Sequence, residues 1–280
     1  MPDQIMKGSS ELDAITPELW SARFYPTLKE RMVFASSVSD DYQGEIAALG
    51  DQVNITTFPQ FSEATELAED AKNDADSITL GSTPLIINKQ IVKDFIITKK
   101  GKKQSLEAGN RLRDLAFHSI MKKMQNIIIA AIVPNAAAPD HSISFDSGTT
   151  LALADILEVK ELLDDADVPE EGRQGILGSA QNNDLFNITG FTSRDFIPAG
   201  SPLTAGAITT PVLGFTMDWT SEAGNTSYFF HPLFLQMAVQ DQPAPSVHDL
   251  EVNGIRAERV NMTVLFGVAQ IDGLRVTTLS

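Results

Sequence analysis

The chain has no cysteine among its 280 residues, which excludes disulfides, thiolate metal sites and a catalytic thiol. That fits synthesis in a reducing compartment. No run reaches the roughly 18 apolar residues that a membrane span needs, and Ile127 to Val133 falls far short. Met1 to Lys7 lacks the basic start and apolar centre of a signal peptide, so a soluble cytoplasmic product is expected. Histidine is scarce: His118, His141, His231 and His248 are dispersed, with no pair at metal-ligand spacing. His118 and His231 are expected to pack or cap. No Gly-x-Ser-x-Gly elbow occurs for serine hydrolysis. Thr98 to Ser105 holds Gly101 among lysines, yet it lacks the first glycine of a phosphate loop and a hydroxyl residue after the lysine. Asp164, Asp165 and Asp167 with Glu170 and Glu171 lack the ligand rhythm of a calcium loop, and a solvated helix end is expected. No catalytic residue, cofactor or metal site is therefore expected.

What the chain does have is a polar hairpin that runs into a long helix. Val53, Ile55 and Thr57 alternate with polar neighbours, as in a half-exposed strand. An acidic excursion follows, with Glu63, Glu66, Glu69, Asp70, Asp74 and Asp76 against Lys72 alone. The return arm, Ser77 to Thr98, carries Leu80, Leu85, Ile87, Ile91, Val92, Phe95 and Ile97. From about Lys102 to Val133 there is no proline, and Leu112, Leu115, Ala116, Ile120, Met124, Ile127, Ile128 and Ala131 recur at three- and four-residue steps. This pattern predicts a continuous amphipathic helix ~45 Å long. An isolated two-stranded ribbon is marginal in water, so the hairpin is expected to lie on something else, most simply another copy of the chain.

Charge is unevenly spread within the net −16. Residues 89 to 123 hold ten basic side chains, among them Lys99, Lys100, Lys102 and Lys103, against Asp94, Glu107 and Asp114. Residues 155 to 171 hold eight acids and only Lys160. These are either two solvated faces or strips that meet between copies and guide register more than affinity. The basic strip has no interleaved aromatics, which argues against nucleic-acid readout, and an acidic chain avoids tight adhesion to DNA.

Residues 1 to 34 read as an arm with little core of its own, in which Trp20, Phe24, Tyr25 and Phe34 are expected to anchor on neighbouring surfaces. After an alanine-rich loop, Thr149 or Thr150 is expected to cap a helix over 151–166. Leu153, Ile156, Leu157 and Leu163 would face inward and Asp155, Glu158 and Asp165 outward. Pro169 and Gly172 turn the chain into an Ile176–Leu177 strand. Residues 190–211 read as a long loop. Strands near 212–218, 260–268 and 274–278 and a short helix near 232–239 complete an α+β pattern, without repeated strand–helix units.

The order of these pieces resembles the major capsid protein of tailed bacteriophages, the Hong Kong-97-type shell fold. Gly50 to Ile55 resembles the strand entering that family's extended loop. Val168 to Arg173, running into Gln174 to Leu177, resembles the turn and strand after its first axial helix. Gly214 to Asp218 and Phe230-His231-Pro232 are similar to its later axial strand and helix start, and Phe266 to Val268 with Leu274 to Val276 to its closing strands. The resemblance implies an N-terminal arm (1–34), a linker at the start of the peripheral domain (35–49) and an extended hairpin (50–101). A spine helix with the peripheral domain (102–148), an axial domain (149–252) and closing strands (253–280) follow. It implies a structural subunit assembling into hexamers and pentamers of an icosahedral head around double-stranded DNA, located in the virion and made in the host bacterial cytoplasm. Its partners would be further copies of itself, portal and scaffolding proteins, and packaged DNA by non-specific proximity only, with no membrane. Subunit contacts are expected at Trp20, Phe24, Tyr25, Glu63, Glu66, Glu69, Asp70, Lys99, Lys100, Lys102, Lys103 and Arg173. An encapsulin-like compartment shell and an α+β enzyme with scattered site residues are the alternative readings.

Overall fold

The computed structural model describes residues 33–42, 52–58, 64, 66, 77–104, 106–146, 148–188, 190, 211–252 and 254–280. A short helix α1 (Phe34–Ser37) precedes strands β1 (Gln52–Thr57) and β2 (Gly81–Ile86). Strand β3 (Lys89–Thr98) leads into α2 (Lys99–Gln104) and the long helix α3 (Leu106–Ala130). Then come β4 (Ser142–Ile143), α4 (Leu153–Asp165), β5 (Gln174–Leu177), α5 (Ser179–Leu185), β6 (Thr216–Trp219) and β7 (Ser227–Phe230). The chain ends in β8 (Leu235–Val252), β9 (Ile255–Gln270) and β10 (Val276–Leu279). The strands form a β1-β2 ribbon, a five-stranded sheet ordered β4-β10-β7-β5-β6 and a three-stranded sheet ordered β3-β9-β8. The fold is α+β, as expected.

Helix α3 spans 25 residues, about 37 Å; α2 lies directly ahead of it, with Ser105 outside the described residues, and the helix ends at Ala130, short of the expected 133. Its buried line is Ala116, Ile120, Met124 and Ile128, four residues apart. Leu112, expected on that line, is exposed near the start, because the packed stripe begins at the following turn. The stripe rests on the face of β9 that carries Val260, Met262, Val264 and Phe266; of these, Met262, Val264 and Phe266 join one core with the helix. Ile91 and Phe95 of β3 pack against the same core.

The return arm proves to be two strands. Residues 81–86 pair with β1 in strict antiparallel register, Gln52 opposite Ile86 and Thr57 opposite Gly81. Residues 89–98 leave that ribbon and pair with β9, Lys89 opposite Phe266 through Thr98 opposite Ala257. The helix expected near 232–239 is also replaced. Only Pro232–Phe234 makes a helical turn, of the 3-10 kind, and Leu235 opens an 18-residue strand. Leu235, Gln236, Met237 and Ala238 are buried in the sheet, so tertiary pairing overrides local helix propensity. His231 caps the turn, its Nδ1 accepting from the Leu233 amide at 3.3 Å.

A second core lies between α4 and the five-stranded sheet, built from Phe145, Ile156, Val159, Leu163, Leu177, Phe215 and Phe229. Ala152, and neither Thr149 nor Thr150, precedes the first turn of α4. The capping work falls to Asp155, expected outside but fully buried, whose carboxylate accepts from the amides of Ala152 at 2.7 Å and Asp146 at 3.1 Å. A carboxylate in the first turn also complements the helix dipole. Leu153 and Leu157, expected inside, face solvent, because the buried stripe of the helix is Asp155, Ile156, Val159 and Leu163.

The start of the described chain is wedged between the two layers. Phe34, expected as an intersubunit anchor, is wholly buried in its own subunit, edge-on to Tyr228 at 5.3 Å and stacked on Phe230 at 6.3 Å. Gln125 of α3 is buried beside it. Its Oε1 accepts from the Val33 amide at 3.0 Å and its Nε2 donates to Thr220 Oγ1 at 2.9 Å. One turn earlier on the helix, Lys122 pairs with Glu222 at 3.0 Å.

Candidate assembly surface

Alternation along β3 and β9 gives the three-stranded sheet two faces. One lies under α3. The inner half of the other is covered by the β1–β2 ribbon, and small residues make this possible. Gly267 pairs with Ala238 across the sheet, and a Cβ on Gly267 would stand 2.3 Å from the Ile86 carbonyl oxygen. Ile55 and Leu85 of the ribbon bury against Ala238 there, with Val53, Ile87 and Ala269 around them. Gly267 thus lets two backbones approach at a distance that no side chain would permit.

Beyond this seat the same face is open. Val92 and Ile96 of β3 point outward, Ile96 with 62% of its surface exposed. Between them Asp94 forms an ion pair with Arg259, and the bond from that guanidinium holds the Asp94 carboxyl below the usual carboxylate range. The ribbon has its own exposed apolar group where it leaves the seat: Phe58, 78% exposed, with Ile78 and Leu80. One chain therefore presents two separate apolar patches, and sequence periodicity located neither.

The long β8–β9 hairpin carries a local sequence signal that periodicity alone does not reveal. Val252 lies opposite Ile255, two residues separate them in the sequence, and Gly254 has φ +78°. Asn-Gly between alternating strands is the strongest short hairpin signal. The hairpin matters to the basic strip because it supplies an acid, Asp249, to it. Lys99 pairs with Asp249 of β8 at 2.9 Å, and Arg256 lies 4.0 Å from Glu251. Lys100 is exposed. Lys102 and Lys103 belong to α2, but their side chains lie outside the described residues, as do Trp20, Phe24, Tyr25, Glu63, Glu69 and Asp70. Glu66 is exposed.

Arg173 is buried inside the subunit and all three of its nitrogens are engaged there. Nε donates to the Pro169 carbonyl at 3.0 Å, one terminal nitrogen to Asp164 at 2.7 Å and the other to the Val168 carbonyl at 2.5 Å. The guanidinium sits 6.0 Å from the Phe215 ring centre. These contacts hold the turn after α4, in which Asp167 takes a left-handed φ of +52°. The acidic strip is also partly neutralised from within. Lys160 bridges Asp164 at 2.6 Å and Glu170 at 3.2 Å, which raises its own pKa, while Lys160 and then Arg173 lower that of Asp164. Among the described residues no group of histidine and carboxylate side chains is placed to hold a metal ion, and no helix is long and apolar enough to cross a membrane.

No protein-family model matches the sequence, and comparison with curated proteins finds no match. Comparison with solved structures does. The capsid asymmetric unit of Cyanophage Pam1 aligns with a TM-score of 0.72 at 15% identity, covering 100% of this chain and 98% of that one. The capsid structure of Cyanophage P-SCSP1u aligns at 0.67 and 11% identity, over 100% and 96%. The structure from Mycobacterium phage Che8 aligns at 0.72 and 22% identity, over 95% and 97%. The chain has a phage capsid fold. The alignments run nearly end to end in both directions.

Proposed function

We propose that this protein is a structural major capsid protein of a tailed phage, acting by self-assembly and not by catalysis. The observation that carries the reading is the end-to-end likeness of the fold to solved phage capsid structures. Copies associate into hexamers and pentamers of an icosahedral head, in the virion, around double-stranded DNA held by proximity alone. Portal and scaffolding proteins are the further partners of that process. The distal hairpin of one copy, with Phe58, Ile78, Leu80 and the acidic residues Glu63, Glu66, Glu69 and Asp70, meets the open sheet face and basic strip of the next. Val92 and Ile96 meet the apolar part, and Lys99, Lys100, Lys102 and Lys103 meet the carboxylates. Because the two surfaces differ, the contact is head-to-tail and closes into rings. Trp20, Phe24 and Tyr25 of the arm anchor on a neighbouring subunit.

Negative-stain microscopy of the purified full chain tests this. Rings, tubes or closed shells are expected as concentration rises. Small soluble oligomers at every concentration and salt level would refute it. Closed shells that enclose protein and exclude DNA would favour the compartment alternative.

A further inference from the structure

Strand β10 is gripped from both sides by histidines. On one side His141, wholly buried, receives the Thr278 amide on its carbonyl at 2.8 Å and sets its Nδ1 3.1 Å from Thr277 Oγ1. Its own amide donates to the Asn135 carbonyl at 2.9 Å, which ties its backbone to the preceding loop. Its Nε2 has no partner among the described residues. On the other side His231 donates its amide to the Arg275 carbonyl at 3.1 Å, immediately before β10 begins. The Nδ1 of His231 accepts from the Leu233 amide, which fixes that nitrogen as the unprotonated one. Two of the four histidines of the chain thus bracket a four-residue strand that lies inside the sheet, between β4 and β7.

We propose that β10 is an acid-released latch, closed while His141 and His231 are neutral and opened when they are protonated. A proton on His231 would set a second N–H against the Leu233 N–H, turning an acceptor into a donor facing a donor. It would also add charge beside Arg275 and Arg173; the Glu171 backbone is the group that favours the charged ring. A proton on His141 would bury a cation whose Nε2–H lacks a hydrogen-bond partner among the described residues, a costly arrangement. Asp140 and Asp272 face that ring and the Val276 backbone bonds it, and these favour charge, but desolvation outweighs them. Both imidazoles are therefore held below the ordinary histidine range, His141 first by burial and His231 first by burial and then by Arg275. The sign follows. The opened chain, with histidines near 6.5, binds protons more tightly, so the closed latch loses stability as pH falls through that value. Opening would separate β4 from β7 and expose the Leu279 and Phe229 side of the second core. This device does not depend on whether the chain builds a shell.

Hydrogen exchange read by mass spectrometry on the full chain, corrected for the intrinsic pH dependence of exchange, tests it. Protection of residues 276–280 should fall about tenfold or more between pH 7.5 and about 5, with β3 and β9 as the internal reference. His231→Asn keeps a capping oxygen and His141→Gln keeps an amide, and neither side chain titrates. The double variant should hold protection within about twofold over that range. An unchanged wild type, or a double variant with the same loss, would overturn the proposal. Should the double variant not fold, the wild-type imidazole resonances decide: titration of both below 6.5 supports the latch, and titration of either at or above 6.5 overturns it.

Discussion

Substituting Ile120 by aspartate tests whether α3 is the keel of the subunit. Ile120 is 1% exposed and belongs to the core that joins the helix to both larger sheets. Removing the isoleucine alone, as in Ile120→Ala, is expected to cost about 2–5 kcal/mol through lost transfer energy and the cavity left behind. Aspartate adds a carboxyl group with no donor on the packed face, which costs several kcal/mol more whether it stays charged or takes up a proton. The sum consumes most of the ~5–15 kcal/mol that holds a typical domain together. Ile120→Ala should therefore shift the urea midpoint downward, and Ile120→Asp should yield insoluble or unfolded protein by circular dichroism. Lys123→Asp, three residues on and exposed, is the matched control and should fold normally. Lys122→Asp should cost about 1 kcal/mol, because it sets a carboxylate against Glu222 where an ion pair stood. A soluble Ile120→Asp variant with the wild-type midpoint would place this residue in solvent and refute the helical register.

Deleting residues 59–76 should leave a folded subunit that no longer assembles, measured by circular dichroism with light scattering; an unfolded product would make the segment part of the core. Reversing Lys99, Lys100, Lys102 and Lys103 to glutamate should impair assembly more than reversing Lys7 and Lys29, and several hundred millimolar salt should weaken wild-type assembly because exposed pairs are screened over about 8–10 Å near physiological salt. Equal effects of the two charge sets would reduce the strip to solvated surface. Gly267→Ala should destabilise by about 1–3 kcal/mol through overpacking, since its Cβ meets the Ile86 backbone. Limited proteolysis should then cut near residues 77–80 faster than in wild type, and an unchanged rate would mean that the ribbon does not depend on this close approach.

The periodic elements were legible in the sequence, because burial on one side of a helix or strand imposes a period. Ile120, Met124 and Ile128, and Val53 and Ile55, fall where their spacing placed them. The misreadings share a cause: a neighbouring element took a residue away from its local pattern. Asp155 looked like a solvent-facing acid, but the unpaired amides of Ala152 and Asp146 drew it inside. Leu235 to Val239 have a helical composition and became a strand because β9 offered a full ladder. Ser77 to Thr98 read as one arm, since nothing local marks the point at which the pairing partner changes from β1 to β9. The proposed assembly surface was read from the sequence as charge, in the lysines from Lys99 to Lys103, and not as shape. Val92 and Ile96 occupy ordinary strand positions, and only the limited reach of the β1–β2 ribbon leaves them uncovered.

The contacts around Gln125 determine where force enters the molecule. Residues 33–39 are grounded repeatedly: the Val33 amide on Gln125, the Phe34 ring among Tyr228 and Phe230, the Ser39 amide on the Pro232 carbonyl at 3.3 Å and the Met237 amide on the Ser39 carbonyl at 2.9 Å. A pull on the chain ahead of Val33 is therefore delivered to the joint between the long helix and the five-stranded sheet. Lys122 and Glu222 span that joint one turn away, so the load is shared across two bonds from the same helix. The β1–β2 ribbon, although it follows next in sequence, is mechanically bypassed.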